Sequence, residues 1–133
     1  MSSFRIIRDV TADTYLAPLE SISLTFTGPF TITVNCNVQK IGSVIFLTIP
    51  KFQGDVENET RRFTAIVPSN ISFPQVRSSS TGVPVLSGPG LFPGYIIVSK
   101  PEEDILVEIV NLSANYIGSA GLYTDVTLML TST

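Results

Sequence analysis

The sequence predicts an all-β domain, an antiparallel β-sandwich of the jelly-roll type. Val, Ile and Thr number 13, 14 and 14, about a third of the 133 residues, and β-branched side chains favour strands over helices. Polar and apolar residues alternate with a period of two, which indicates strands with one buried face. Turn residues divide the chain into seven to nine short strands, as in antiparallel sandwiches.

The clearest alternation lies in the first half of the domain. Polar and apolar residues alternate over 21–27 and, after a Gly-Pro pair, again over 30–39, which predicts two strands with one buried face each. On this pattern Cys36 points into the core, where a free cysteine behaves as a small hydrophobic residue. The segment 44–49 is apolar at both parities, so we predict a strand that is covered on both faces.

The second half of the chain has longer interruptions between its strands. We predict a polar loop over 51–62, a strand over 63–67, and an irregular Pro/Gly/Ser-rich stretch over 74–93 with an edge segment at 83–86. Long loops of this kind usually carry function or disorder. The remaining predicted elements are strands over 95–99, 105–111 and 122–130, an acidic turn over 101–104 and a turn over 115–121.

The length of 133 residues is that of one domain, which at this size hides roughly two-thirds of the surface of the unfolded chain. We expect residues 1–18 to form an N-terminal arm or connector and residues 19–133 to form a single sandwich domain. The arm either touches a neighbouring subunit or attachment partner, or is a disordered tail.

Charge and hydropathy exclude several classes of partner. The net charge is −3 and the pI is about 4.7, the wrong sign for a protein that grips a phosphate backbone, so we expect no nucleic acid partner. The first residues lack the apolar core of a secretory signal, and no segment has the ~20 apolar residues that insert across a membrane. Asn-x-Ser/Thr triplets at Asn58, Asn70 and Asn111 are expected by chance in this composition.

The scarcity of reactive side chains excludes most enzyme chemistry. The chain has no His and one Cys, which rules out Ser-His-Asp and Cys-His nucleophiles, Cys/His zinc sites and an intrachain disulfide framework. The cluster Asp55, Glu57 and Glu59 has alternate spacing that is compatible with an ion, although a solvated loop explains it better. We therefore expect a protein that is not an enzyme and has no cofactor and no metal.

Low charge on the predicted strands suggests self-assembly. Charged residues make up only 14% of the chain, and the alternating strands present Ser, Thr and Asn where a monomeric sandwich uses Lys and Glu. The desolvation free energy that opposes burial is smaller for such faces than for charged faces. Strands that are apolar on both faces offer further surface for a second copy. We expect a stable homotrimer, with the aromatic residues Phe46, Tyr95 and Tyr123 as candidates for the subunit interface.

The order of the predicted strands and turns along the chain resembles that of a known class of domain. An alternating strand pair leads into a glycine turn and an apolar strand over 38–47, then come Val67 and Pro68, the Pro/Gly-rich stretch, a strand over 95–98 and a final strand at 121–123. This order resembles the head domains of viral and phage fibres and, more broadly, the trimeric jelly rolls of the tumour necrosis factor and C1q type. The resemblance covers residues 20–133.

The resemblance implies a function. It implies a homotrimer in a virion whose distal loops bind a host receptor or glycan, while the N-terminal arm joins a shaft or another virion protein. Residues 1–18 show no collagen-like, coiled-coil or β-spiral pattern, so we expect either a fragment of a longer fibre or a small structural protein attached directly to a particle. Two alternatives stay open: a minor capsid component with no receptor site, and a secreted, extracellular ligand of the lectin or cytokine type.

Loops are the places where such a head would bind its ligand. Recognition of sugars combines an aromatic face with amide, carboxylate or guanidinium partners for hydrogen bonds. Asn115 and Tyr116 in a short turn and Arg77 in the long loop are therefore the candidate binding residues.

Overall fold

The computed structural model describes residues 20–68, 77–100 and 104–131, and these residues form ten β-strands. The predicted arm over 1–18, Asn70 and most of the acidic turn over 101–104 lie outside the described residues. In chain order the strands are β1 (Glu20–Phe26), β2 (Ile32–Ile41), β3 (Val44–Ile49), β4 (Phe52–Asp55), β5 (Arg62–Ile66), β6 (Ser79–Ser87), β7 (Gly90–Ser99), β8 (Leu106–Asn111), β9 (Ser119–Leu122) and β10 (Val126–Thr131).

The strands form two antiparallel sheets. The four-stranded sheet has the order β1-β2-β3-β10, and the six-stranded sheet has the order β4-β9-β6-β7-β8-β5. Thr27 and Thr64 form a bridge with backbone hydrogen bonds of 2.9 and 2.8 Å, which joins the edge of the first sheet to β5. The predicted all-β class with antiparallel sheets is confirmed. Within the described residues no helix has the length and apolar character needed to cross a bilayer.

The inward side chains of both sheets form the hydrophobic core. In β1 and β2 buried and exposed residues alternate, so the predicted period of two is confirmed. Cys36 is fully buried in this pattern, as predicted from its register. Burial of such side chains contributes roughly 1.5–3 kcal/mol each for the larger aliphatic and aromatic residues.

An aromatic cluster fills one part of the core. Neighbouring rings of Phe26, Phe30, Phe52, Phe63 and Tyr116 have centroids between 4.9 and 6.4 Å apart. Most of these pairs meet edge to face, the arrangement that aromatic quadrupoles favour. The cluster joins residues of both sheets with residues of their connecting segments.

Strand β4 lies in the segment 51–62, for which the sequence predicts a loop, so that prediction is wrong for Phe52–Asp55. The strand shows little alternation because only one of its inward positions, Phe52, carries an apolar side chain. The other inward position is Gly54, where an added Cβ would lie 2.7 Å from the Phe30 ring. Gly54 therefore makes room for an aromatic side chain from elsewhere, a contact that local sequence does not reveal.

Strands β6 and β7 form a long hairpin where the sequence predicts an irregular stretch, so that prediction is wrong for the described part of 74–93. The predicted edge segment 83–86 lies inside the six-stranded sheet, between β9 and β7. A two-residue turn at Gly88 and Pro89 joins the strands, and Gly88 has a φ of 61°. A positive φ at the first turn position fits tight hairpins and favours glycine.

The prolines of this hairpin lie where they remove no ladder hydrogen bond between strands. Pro84 is opposite Pro93, the pairing with β9 ends at Val85, and the pairing with β8 ends at Gly94. Each proline is therefore one residue beyond the ladder with its outer neighbour. Prolines normally indicate an edge or a loop, and their position relative to the ladders is set by tertiary pairing.

The segment 122–130, for which the sequence predicts one strand, divides between two sheets. Leu122 ends β9 in the six-stranded sheet, and β10 begins at Val126 in the four-stranded sheet. Between them Asp125 accepts a hydrogen bond of 2.9 Å from the backbone N–H of Lys51. The Asp125 side chain thus links the connection between β9 and β10 to the neighbouring connection between β3 and β4.

The strands that the sequence predicts to be covered on both faces are covered on one face by the single chain. In β3, Val44 and Phe46 are half-buried on the outward side. In β7, Tyr95 is exposed and Ile97 is half-buried. Among the described residues, these apolar side chains lie on the sides of the sheets that face away from the core.

Candidate functional site

The outward side of the six-stranded sheet, here called the outer face, carries several apolar side chains among polar ones. The exposed large hydrophobic side chains on this face include Ile66, Leu91, Tyr95 and Tyr123. Half-buried Leu86, Ile97 and Leu106 lie on the same side by strand register. A contiguous apolar patch on a soluble protein marks a surface that contacts another molecule.

An ion pair lies at the β5 edge of the outer face. Arg62 and Glu108 form an ion pair with an N···O distance of 2.6 Å, on neighbouring strands β5 and β8. Such an exposed pair contributes little to stability. The two charges therefore neutralise each other at this edge of the face.

A groove on the outer face runs over Gly82. Gly82 is opposite Tyr95, so an outward position without a side chain lies beside an exposed ring. Pro84, Leu91 and Pro93 also line this depression of about 460 Å³. Its lining is almost entirely apolar, which suits packing against another surface better than hydrogen bonding to a polar ligand.

A second depression, here called the cleft, lies near the β4 edge of the outer face, where Gln53 and Leu86 line it. Gly121 of β9 is paired with Gln53 on one side and with Leu86 on the other, so these two side chains lie on the same face of the sheet. Lys51 and Tyr123 complete the walls of this cleft of about 380 Å³. An added Cβ at Gly121 would collide with the carbonyl of Phe52, and the φ of Gly121 is 155°, so the close approach of β9 to β4 requires glycine.

The cleft combines an aromatic ring with polar side chains. Tyr123 is 55% exposed, and Lys51 and Gln53 are exposed beside it. The ammonium group of Lys51 forms no ion pair with any described residue. Lys51 lies in the connection between β3 and β4, and Tyr123 lies in the connection between β9 and β10. The hydrogen bond from the Lys51 N–H to Asp125 links these two connections and so holds the two walls of the cleft in place.

The outward side of the four-stranded sheet is polar and carries few charges. Cross-strand hydrogen bonds join Ser23 to Asn35 at 3.0 Å, Thr25 to Thr33 at 3.0 Å, and Thr48 to Thr127 at 2.9 Å. These pairs satisfy the hydroxyl and amide groups within the sheet. Next to them lie Met129, which is 64% exposed, and its register partner Phe46.

The two exposed candidate binding residues do not share a site. Arg77 precedes β6, and its backbone N–H donates to Thr131 at the end of β10. Asn115 lies beside Ile117, whose carbonyl accepts from Gly88 at the opposite end of β6. Because β6 has nine residues and a strand rises roughly 3.3 Å per residue, Arg77 and Asn115 occupy opposite ends of the domain.

Tyr116 is a core residue in this structure. Its side chain is fully buried, its ring lies 4.9 Å from that of Phe63, and its hydroxyl donates to the carbonyl of Ile109 at 3.4 Å. Burial raises the pKa of the Tyr116 hydroxyl well above its usual range. A side chain in this position has no surface to offer a ligand, because aromatic and aliphatic neighbours surround it.

The three candidate interface residues lie on two different surfaces. Phe46 is half-buried on the outward side of the four-stranded sheet. Tyr95 is 39% exposed on the outer face, and Tyr123 lies at the cleft. The sequence contains no local signal for the other cleft residues, Lys51, Gln53 and Leu86. They come together only because β4, β9 and β6, which are distant in sequence, are neighbours in the sheet.

The remaining reactive or modifiable side chains have structural positions. Burial raises the pKa of the Cys36 thiol to about 11, so the thiol stays protonated at neutral pH and is a poor nucleophile. Asn111 is buried, and its side-chain oxygen accepts from the N–H of Ser113 at 3.0 Å. No group of three metal-ligating side chains occurs in the described parts of the chain, which include Asp55, Glu57 and Glu59.

Comparison with solved structures finds the same fold in viral fibre heads. The chain is similar to the fibre head of raptor adenovirus 1 in its hairpin-deleted form, with a TM-score of 0.56, 6% identity, and coverage of 88% of this chain and 100% of that chain. It is also similar to the C-terminal receptor-binding domain of the avian reovirus fibre sigmaC, with a TM-score of 0.51, 14% identity, and coverage of 90% and 80%.

A third similar structure is a reovirus attachment protein, sigma1, in complex with alpha-2,3-sialyllactose, with a TM-score of 0.49 and 13% identity. The match covers 86% of this chain, which spans 64% of the length of that one. No protein-family model matches the sequence, and no curated protein sequence matches it. At these identities the likeness shows the fold, and at that level the predicted resemblance to viral fibre heads is confirmed.

Proposed function

We propose that the chain is a non-enzymatic attachment head of a virion that assembles as a homotrimer and binds a host receptor or glycan. The observation that carries this proposal is the fold match to the fibre head of raptor adenovirus 1, which spans that whole chain and 88% of this one. The avian reovirus domain with the same fold is described as receptor-binding. Fold alone does not imply function, so the surfaces of this chain must support the proposal independently.

The surfaces support self-association. A cyclic trimer joins two different patches of each subunit, because its contacts are heterologous. The chain offers two such patches on opposite sides: the low-charge face around Phe46 and Met129, and the apolar outer face around Tyr95. Contact between them would cover the outward apolar side chains that the single chain leaves exposed.

The path of the chain suggests which end of the head points away from the virion. Strand β1 begins at Glu20, level with Leu128 of β10, and runs away from the end of the domain where Arg77 contacts Thr131. If the arm joins another virion protein, the opposite end is distal. That end carries Asn115 and the turn at Gly88, so Asn115 is better placed than Arg77 to contact a host surface.

Trimerisation gives weak sites a combined affinity. Three equivalent sites on one rigid head bind a surface with effective concentrations that raise avidity by roughly 10²–10⁴ over one site. The proposal therefore requires no deep pocket, and shallow surfaces of a few hundred Å³ are sufficient. The location that follows is the virion surface.

The proposal is tested with the fluorescently labelled full chain on a panel of cultured cells and bacterial hosts. We expect saturable binding to at least one cell type, with competition by the unlabelled chain. The chain denatured and then cooled serves as the control for non-specific adsorption. Absence of saturable binding at micromolar concentration would contradict an attachment role, and would favour a minor capsid component without a receptor site.

A further inference from the structure

We propose that the connection between β8 and β9, residues 112–118 and here called the β8–β9 loop, is the recognition loop of the head, and that Arg61 positions it. This inference deepens the proposed attachment function and rests on it. The loop lies at the end of the domain that carries the turn at Gly88, since the Ile117 carbonyl accepts from the Gly88 N–H at 2.7 Å. Arg61 has a positioning role because it acts through the backbone of the loop.

The sequence of the β8–β9 loop does not make it stiff. The segment contains no proline and no charged side chain, and residues 113–115 form an exposed stretch in its middle. A short loop of this composition has many accessible conformations unless other segments hold its backbone. The hydrogen bonds made to the loop therefore decide whether it presents one defined surface.

Arg61 holds the first half of the β8–β9 loop. Its carbonyl accepts from the Asn111 N–H at 2.9 Å, and its Nη2 donates to the Leu112 carbonyl at 2.9 Å. The Leu112 N–H donates to the Pro93 carbonyl at 3.1 Å. The Ser113 N–H donates to the Asn111 side-chain oxygen at 3.0 Å. Both backbone polar groups of Leu112 are therefore engaged, one by β7 and the other by Arg61.

The second half of the β8–β9 loop is held by the residue before Arg61. The Tyr116 N–H donates to the Thr60 carbonyl at 2.8 Å, and the buried Tyr116 ring anchors this half in the core. The Thr60 hydroxyl donates to the Arg62 carbonyl at 3.0 Å, which stabilises the short segment that carries Arg61. Thr60 and Arg61 therefore hold the loop on both sides of Asn115, the exposed candidate binding residue.

The hydrogen bond from Arg61 acts locally. Arg61 is exposed, and its guanidinium group bonds to a neutral carbonyl, so water competes for this bond and its contribution to global stability is small. A contact surface binds better when supporting residues fix it before the ligand arrives, because less conformational entropy is lost on binding. Arg61 is such a supporting residue for the exposed stretch 113–115.

Arg62 provides a comparison within the same chain. It follows Arg61 directly and is also exposed, but its guanidinium group pairs with Glu108 on β8 at 2.6 Å. The two adjacent arginines therefore bond to different targets, one to the loop and the other to the sheet. Arg62→Ala removes the same charge and the same number of atoms as Arg61→Ala and leaves the bond from Arg61 to the loop in place, so it is the matched control.

The first measurement is hydrogen–deuterium exchange of the full chain. In Arg61→Ala the amides of Leu112 and Ser113 should exchange about tenfold faster, because the start of the loop opens locally when the guanidinium bond is lost. Arg62→Ala should exchange there like the unmodified chain. Arg61→Lys, which keeps one charged donor, should fall between Arg61→Ala and the unmodified chain. Unchanged exchange in Arg61→Ala overturns the positioning role.

The second measurement is competition with the labelled unmodified chain on a cell type that this chain binds saturably. Arg61→Ala should compete about tenfold less well, because the loop must be ordered on binding. Arg62→Ala should compete like the unmodified chain, and Arg61→Lys should recover part of the loss. Arg61→Ala should also keep the thermal unfolding midpoint and the mass in solution of the unmodified chain, so that neither unfolding nor lost avidity explains the result.

The outcomes separate the loop from the attachment function. Faster loop exchange with undiminished competition by Arg61→Ala overturns the recognition role of the loop and leaves the attachment function standing. A lower mass in solution for Arg61→Ala places the loop in a subunit contact and overturns the recognition role as well. If the unmodified chain binds no cell type, the attachment function itself fails, and the recognition role fails with it.

Discussion

Tyr116 shows how a loop residue can belong to the core. It follows the end of β8 by five residues, yet its backbone N–H donates to Thr60 and its ring packs on Phe63. These contacts attach the connection between β8 and β9 to the segment before β5. A polar tip on an aromatic body fits this position, because the hydroxyl finds the Ile109 carbonyl within the core.

Tyr116→Ala should therefore destabilise the fold by about 3–5 kcal/mol, the usual cost of removing a buried aromatic side chain. Tyr116→Phe should cost only about 1 kcal/mol, since it removes one long hydrogen bond and keeps the packing. Chemical denaturation of both variants measures this. A Tyr116→Ala variant as stable as the unmodified chain would show that this ring is not part of the packed core.

The sequence predicts whether a side chain is buried when its position depends on the local strand pattern. It does not do so when the position depends on contacts between segments distant in sequence. The alternation over 30–39 was enough to orient Cys36 inward, because strand geometry fixes which side chains share a face. An aromatic residue next to Asn115 in a turn gives no such information. The burial of Tyr116 depends on where β5 and β8 run, and the cleft depends on a register between strands far apart in sequence.

At the scale of strands, the β6–β7 hairpin determines the outer face. Both sides of the groove over Gly82 come from this hairpin, and Leu86 extends it to the cleft. Proline and glycine are abundant here and predict irregular structure. These residues are accommodated in strands because Pro84 and Pro93 lie just beyond the ends of the ladders with β9 and β8. The sequence does not show this, because it does not reveal which strands pair.

Tyr95→Lys should break the proposed subunit contact without unfolding the chain. Tyr95 is 39% exposed in the single chain, so an outward lysine is tolerated there, whereas burying its charge in an interface without a partner costs several kcal/mol. We expect the mass in solution to fall to that of one chain with an unchanged circular dichroism spectrum. Ser113→Lys, at an exposed loop position, is the control and should keep the assembly intact.

If Tyr95→Lys assembles as the control does, the outer face is not a subunit interface. The trimer would then have to use the polar side of the four-stranded sheet or the N-terminal arm. Measuring both variants by the same method separates these possibilities, since each carries the same added charge.

At the scale of the whole molecule, the low content of charge has a structural meaning. Charged residues are 14% of the chain, and the strand faces replace them with hydroxyl pairs on one side of the sandwich and apolar side chains on the other. A monomer would need charge on these faces to stay soluble and to protect its edges. Surfaces of this kind are consistent with a head that is covered by copies of itself.

The sequence was sufficient to predict the fold class, because the alternation of polar and apolar residues, the β-branched composition and the spacing of turns can all be seen in short segments of the chain. It was not sufficient for the number and order of strands. Strands β4 and β9 have four residues each and lie at the edge and next to the edge of the six-stranded sheet. Such short strands are stabilised by their partners and leave little local signal.

The central claim is that the chain works as a trimeric head, and its mass in solution tests this most directly. Sedimentation equilibrium of the full chain at micromolar concentration measures that mass without reference to shape or host. The account predicts a single species of three times the 14.4 kDa chain mass. A species of 14.4 kDa at this concentration would contradict it.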